Sequence, residues 1–213
     1  MPAPDIRIGG LTRMSLCDWP GQIVATLFTQ GCPWDCHYCH NPELIPADVP
    51  GSTSWAEVRA FLHSRRGLLD GVVFSGGEPI LHRGLPDAMR EIRGMGFAVG
   101  LHTGGAYPRR LARALPLVDW IGFDVKSAFA DYAAITGVPG SGDKARESLR
   151  LVLASGILCD IRTTASERWL DQDALARLTA DLAALGTETR LQSFRTEGCR
   201  MDRLPAARMA PSG

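Results

Sequence analysis

From Ile23 to Phe194, short apolar and β-branched runs alternate with stretches whose apolar residues recur every three or four positions. The first kind of segment fits a buried strand and the second an amphipathic helix. Ile23-Val24-Ala25-Thr26-Leu27-Phe28 predicts a strand over 23–28. A helix is expected to follow with Ser54 as its N-cap and Trp55, Val58, Phe61 and Leu62 along one face. Further strands are predicted over 71–74, 97–101, 120–125, 157–162 and 189–194, and further helices over 85–93, 108–115 and 144–154. The last helix carries Leu175, Leu178, Leu182 and Leu185 at helical spacing and stops at Gly186. The glycine-rich connection 137–142 is expected to be mobile.

Six strand–helix units imply a parallel sheet, because parallel neighbours need long crossovers. Right-handed crossovers repeated in one direction curl such a sheet into a full or partial barrel, or build a doubly wound sheet, and periodicity leaves both open. In either case ligands collect beyond the C-terminal ends of the strands. The chemically unusual residues fall there. Cys32, Cys36 and Cys39 follow the first strand, Ser75-Gly76-Gly77-Glu78-Pro79 the second, and His102-Thr103-Gly104-Gly105 the third. Asp124 and Lys126 finish the fourth strand and Arg162-Thr163-Thr164 the fifth, so five strands deliver polar groups to one edge.

The chain has 213 residues, 45% hydrophobic and 22% charged, enough apolar material for one core, so residues 1–213 are expected to form a single domain. Within it, 1–22 is taken as an N-terminal extension, 23–195 as the α/β body and 196–213 as a tail. Lysine plus arginine number 23, as do aspartate plus glutamate, so no overall positive field draws nucleic acid or an anionic membrane. The N-terminus lacks a basic, then apolar, leader, and no run of eighteen apolar residues occurs. A cytoplasmic protein is expected, without nucleic-acid or membrane partners. In a reducing compartment the six cysteines are not expected to form a disulfide framework.

The C-x3-C-x2-C triplet offers three thiolates to one centre and leaves a coordination position for chemistry. The spacing admits a zinc site completed by His37 or His40, and equally an iron–sulfur cubane with one iron free. Gly76 and Gly77 form either a plain turn or a place where backbone approaches a ligand, with Glu78 set to meet an ammonium group. Lys126 and Arg162 either pair with Asp124 or Glu78 or face a ligand. Cys17 and Cys159 are expected to be small apolar fillers, and Cys199 to be exposed near the tail. His63 and His82 carry no assigned role.

Cys32-x3-Cys36-x-Tyr38-Cys39 followed by Gly76-Gly77-Glu78 resembles the radical S-adenosylmethionine enzymes. Asp18-Trp19-Pro20-Gly21, Phe28-Thr29-Gln30-Gly31-Cys32 and Tyr38-Cys39-His40-Asn41-Pro42 look like the activases of glycyl radical enzymes, above all the anaerobic ribonucleotide reductase activating proteins. The similarity extends through residues 100–103, 119–126, 162–164 and 191–195. It implies a six-unit (β/α)6 partial, open barrel of parallel strands. It further implies one 4Fe-4S cluster on Cys32, Cys36 and Cys39, whose free iron binds S-adenosylmethionine. A 5′-deoxyadenosyl radical would then install a glycyl radical on a partner, the anaerobic ribonucleotide reductase, with flavodoxin or ferredoxin as electron donor.

By the same resemblance, Ser75, Gly76, Gly77 and Glu78 would bind the methionine end and Tyr38 would lie near adenine. His102, Thr103, Asp124, Lys126 and Arg162 would complete the cofactor site. His102 stands where pyruvate formate-lyase activases carry an aspartate that helps hold a monovalent cation, so either the cation is held without that group or a charged His102 contacts the cofactor carboxylate directly. Gly104 stands where they commonly carry asparagine. Two competing readings remain: a radical enzyme acting on another small molecule or on a peptide, and a zinc-binding interaction module.

Overall fold

The computed structural model describes residues 3–206. Its centre is one seven-stranded sheet in which strand order equals chain order. The strands are β1 (Ile8–Ser15), β2 (Val24–Thr29), β3 (Gly71–Gly76), β4 (Ala98–Thr103), β5 (Trp120–Asp124), β6 (Leu158–Ala165) and β7 (Arg190–Ser193). From β2 to β7 every neighbour is parallel, whereas β1 runs antiparallel to β2. Helices α1 (Trp55–His63), α2 (Leu85–Gly94), α3 (Pro108–Ala114), α4 (Tyr132–Thr136), α5 (Ser141–Ser155) and α6 (Gln172–Ala183) occupy the crossovers. Crossovers repeated in one direction curl the sheet, and β1 and β7 remain free edges, as in a partial barrel rather than a closed one. No helix among the described residues is long and apolar enough to cross a membrane.

All six predicted strands are present, and Ser54 caps α1 in a full capping box with Glu57. Two elements were not predicted. β1 lies in the segment taken as an extension; its Gly9-Gly10 pair and exposed Thr12, Arg13 and Met14 hide the alternation of a strand, and register shifts interrupt its pairing. α4 has only five residues, too few to show a period. The connection 137–142 is likewise more structured than expected. Gly137 and Gly140 adopt left-handed conformations that end α4 and start α5, and Ser141 is buried with its hydroxyl 2.8 Å from that of Thr136. A Cβ on Gly142 would stand 1.9 Å from the Phe129 carbonyl oxygen.

Strand alternation divides the sheet into two faces. Outward, Ala25, Leu27, Val72, Phe74, Val99, Leu101, Ile121, Phe123 and Ile161 join the helix stripes in the main core. Inward, Val24, Val73 and Trp120 form a smaller cluster with Trp19. The Trp19 and Trp120 rings stack at 5.5 Å and 16°. Trp19 also covers Gly71 and Gly100, where an added Cβ would lie 3.2 and 2.9 Å from its ring. The Asp18–Gly21 segment therefore plugs the N-terminal end of the concave face, and polar groups occupy the other end.

Removing that plug leaves a cavity between two glycines and an indole that cannot collapse into it. Trp19→Ala should lower unfolding free energy by about 3–5 kcal/mol in urea titration, while Val49→Ala at an exposed site should stay within about 0.5 kcal/mol.

Candidate active site

The cysteine loop leaves the end of β2 and is pinned along its length. Gly31 and Cys32 donate to the carbonyls of Leu44 and Ile45 at 2.8 and 3.0 Å, and Asp35 and His37 donate to Thr136 and Ile135 at 2.9 and 3.2 Å. The last carbonyls of α4 thus hold the middle of the loop, which gives that short helix its purpose. Cys36 is buried, and Cys32 and Cys39 are partly so. Burial pushes all three thiols up, Cys36 to about 11, with Lys126 acting against the rise at Cys36. Thiols so placed become thiolates when a positive metal centre compensates them. Among the described residues no three Cys, His, Asp or Glu side chains are placed to share one metal ion. A cubane binds each thiolate at a different iron, so its donors stand farther apart than the donors of one ion.

The cysteine loop opens into a cleft lined by Cys32, Cys36, Cys39, Tyr38, Ser75, Gly76, Gly77, Glu78, His102, Thr103, Asp124 and Lys126, together with Trp34, His40, Asn41, Ile45, Gly104 and Thr164. Of the residues nominated from sequence only Arg162 is missing from the wall. It stands behind Asp124, donating from Nη2 and Nε to Oδ1 at 2.9 and 3.2 Å, while Lys126 Nζ donates to Oδ2 at 3.3 Å. Burial opposes ionisation of Asp124, but the charges of Lys126 and Arg162 outweigh it and hold the carboxyl well below the usual range. Burial would also lower Lys126, and the Asp124 charge reverses this. The two cations and the carboxylate are therefore charged together. Gly122 makes the arrangement possible, since a Cβ there would meet His102 at 2.7 Å and the Arg162 guanidinium at 2.9 Å.

At the end of β3, Gly76 and Gly77 line the cleft and also admit a neighbouring backbone. A Cβ on Gly76, whose φ is 103°, would lie 2.4 Å from Thr29 N, and one on Gly77 would lie 2.3 Å from Gly31 O. What approaches them is the root of the cysteine loop, with Gly77 N donating to Thr29 O and Glu78 N to Gly31 O, each at 2.9 Å. Glu78 is buried, and its carboxylate accepts from Thr103 Oγ1 at 2.8 Å, Gly104 N at 3.1 Å and Ile80 N at 3.3 Å. Burial raises its pKa while these bonds lower it. A carboxylate has about four acceptor positions, so little is left over for a ligand ammonium.

Both ring nitrogens of His102 are engaged within the protein. Its Nε2 lies 2.8 Å from the Asp18 carbonyl, which can only accept, so Nε2 carries a proton, and Nδ1 lies 3.2 Å from Ser75 Oγ. Burial and the nearby Arg162 both push its pKa down. With both nitrogens engaged and burial disfavouring the charge, the arrangement does not favour the expected contact between a charged histidine and a cofactor carboxylate.

Tyr38 packs inward, stacked on Trp169 at 4.7 Å and 15°, with Phe194 and His37 against its edges and Lys126 Nζ 6.0 Å from the ring centre. Among the described residues its buried hydroxyl has no partner, nor do His37 Nδ1 and Ser127 Oγ. Trp169 and Trp34 had not been singled out as site residues. Trp34 lies where a Gly104 Cβ would come, 2.4 Å away, which is why residue 104 has no side chain. Residues beyond β7 also hold the loop: Arg200 and Arg203 pair with Asp35, Cys199 Sγ donates to Tyr38 O at 3.3 Å, and His40 Nε2 meets Arg195 O at 2.9 Å. Cys199 is only partly exposed, whereas Cys17 and Cys159 are exposed and fill no core. Both lie on rims of the sheet where a small residue meets solvent.

Residues 26–187 match the Radical SAM superfamily. A candidate glycyl-radical enzyme activating enzyme of Methanocaldococcus jannaschii is 27% identical over 78% of this chain and 71% of its own. The pyruvate formate-lyase-activating enzyme of Clostridium pasteurianum is 31% identical over 62% of this chain and 57% of its own. A PqqA peptide cyclase of Xanthomonas euvesicatoria is 32% identical over 68% of this chain, which spans 40% of that protein. Among solved structures, TYW1 with a lysine-pyruvate adduct superposes with TM-score 0.61 and 13% identity over 85% of this chain and 68% of that one. SuiB of Streptococcus suis gives 0.58 and 12% over 78% and 38%; likenesses at this identity speak for the fold alone. Because the family match takes in most of the sheet and its crossovers, the chain belongs to the radical SAM superfamily.

Proposed function

We propose that this protein installs a glycyl radical on a partner enzyme, the anaerobic ribonucleotide reductase, after reductive cleavage of S-adenosylmethionine at a 4Fe-4S cluster held by Cys32, Cys36 and Cys39. The observation that carries the reading is the convergence of three thiols on one pinned loop with a cleft walled by the ends of β3, β4 and β5. The thiols suit a cluster because three of them leave one coordination position open and because burial disfavours them as bare thiolates. When bound, the cluster and S-adenosylmethionine supply the one-electron scission that yields methionine and the 5′-deoxyadenosyl radical.

The chain's own groups do the holding. Lys126 presents a permanent positive charge on the cleft wall, fixed by Asp124, and suits the carboxylate of the methionine moiety. Arg162 acts through Asp124, setting its position. Glu78 fixes the ends of β3 and β4 relative to each other and keeps one acceptor position for the amino group. Trp34, Ile45 and Tyr38 supply apolar wall and limit water at the cleft. A monovalent cation has no vacant oxygen pair at Asp124, since both oxygens already accept from cations. The open edge between β1 and β7 leaves a side through which a loop of a protein can reach the cleft.

A second reading places the radical on a peptide instead, and the 32% identity with the PqqA peptide cyclase favours it. Electron paramagnetic resonance separates the two. Incubation with the reductase, S-adenosylmethionine and reductant should give a glycine-centred doublet on the reductase; its absence while 5′-deoxyadenosine accumulates moves the target elsewhere.

Anaerobic reconstitution should yield a brown protein with about four irons per chain, and dithionite with S-adenosylmethionine should release 5′-deoxyadenosine. A colourless protein with about one zinc per chain would identify a structural zinc module instead. Lys126→Met should keep the iron content and weaken S-adenosylmethionine binding about tenfold by equilibrium dialysis, roughly 1.4 kcal/mol. Unchanged affinity would remove Lys126 from the site.

A further inference from the structure

Five cations collect on one face beside the cysteine loop: Arg83 ahead of α2, Arg109, Arg110 and Arg113 on α3, and Lys144 on α5. Three of the seven residues of α3 are arginine, and none is acidic. None of the five cations makes an ion pair among the described residues, although other surface arginines do so with Asp87, Asp119, Asp131 and Asp160. Glu147 is the single acid among the described side chains lining this face. In a chain whose formal charges sum to zero, such a surplus is a local feature. It is maintained against mutual repulsion.

The patch is also the outer side of the cysteine loop. Arg110 donates to the Leu81 carbonyl and lies 4.6 Å over the Tyr107 ring. The Leu81 side chain occupies the space beside Gly31, 2.7 Å from where a Cβ would stand, and Gly31 precedes Cys32. The Leu81 side chain therefore lies between the Arg110 side of the basic surface and Gly31, the residue before the first thiol. On the reading of a reductive enzyme, on which this inference rests, each turnover consumes one electron from outside, and the cleft itself is filled by the cofactor.

We infer that Arg83, Arg109, Arg110, Arg113 and Lys144 form the docking surface for a small acidic one-electron carrier protein. The carrier would give up one electron to a cluster held by Cys32, Cys36 and Cys39, and that electron would serve the reductive cleavage of one C–S bond of S-adenosylmethionine. An encounter of this kind is brief and steered by charge, so a polar, unpaired surface suits it better than an apolar one.

The test uses the reconstituted protein and a fluorescently labelled flavodoxin as the acidic carrier. Titration at about 30 mM and about 300 mM salt should show markedly weaker binding at the higher concentration. The double variant Arg109→Glu/Arg113→Glu, whose two side chains make no hydrogen bond or ion pair among the described residues, should raise Kd at least tenfold, and Arg65→Glu/Arg66→Glu should not. Circular dichroism confirms that both variants fold. 5′-Deoxyadenosine formation should fall with reduced flavodoxin in the first variant and be unchanged with dithionite. Undetectable or salt-insensitive wild-type binding, or equal binding by the Arg109/Arg113 variant, overturns the inference. Failure of the wild type with dithionite would overturn the proposed activity instead, while the binding titration still decides the docking surface.

Discussion

The site depends on a contact between two stretches of bare backbone. Gly31, at the root of the cysteine loop, and Gly76-Gly77, at the end of β3, meet so closely that a Cβ on either later glycine would overlap a main-chain atom. Two peptide hydrogen bonds lock the seam. Everything above it inherits this registry: the thiols face the cleft because their loop starts here, and Glu78 reaches β4 because the chain leaves the seam at this point. The seam needs residues without side chains before it needs a ligand, so the Gly-Gly-Glu segment is architectural and chemical at once.

A second constraint is charge. The concave face contains one carboxylate between two cations, a histidine whose charge burial disfavours, and a glutamate that accepts three hydrogen bonds. Each buried charge has a partner of opposite sign or a set of donors, as a low-dielectric interior requires. Gly122 lets the His102 and Arg162 side chains lie across β5. The packed base of Trp19 on Trp120 excludes solvent below them.

Most of the body could be read from periodicity, because parallel strands buried on both faces leave continuous β-branched runs and their helices carry wide apolar stripes. The failures share a physical cause: they are set by contacts distant in sequence. β1 is a strand because β2 offers it an edge, despite its glycines and exposed side chains. The 137–142 connection is fixed by burial of Ser141 and by Phe129 against Gly142, which composition alone does not disclose. Within the site the cysteines and the strand-end residues were legible because chemistry constrains their type. Trp34, Trp169 and the residues after β7 were not, since an isolated tryptophan or arginine looks the same in a core or on a surface.

Those last residues set an order of events. Asp35 is gripped by Arg200 and Arg203, Tyr38 O accepts from Cys199, and His40 meets the carbonyl of Arg195. A loop that emerges early in synthesis is thus enclosed by residues made more than 150 positions later. The contacts that cover this side of the loop can therefore form only after residues 195–203 have been added to the chain.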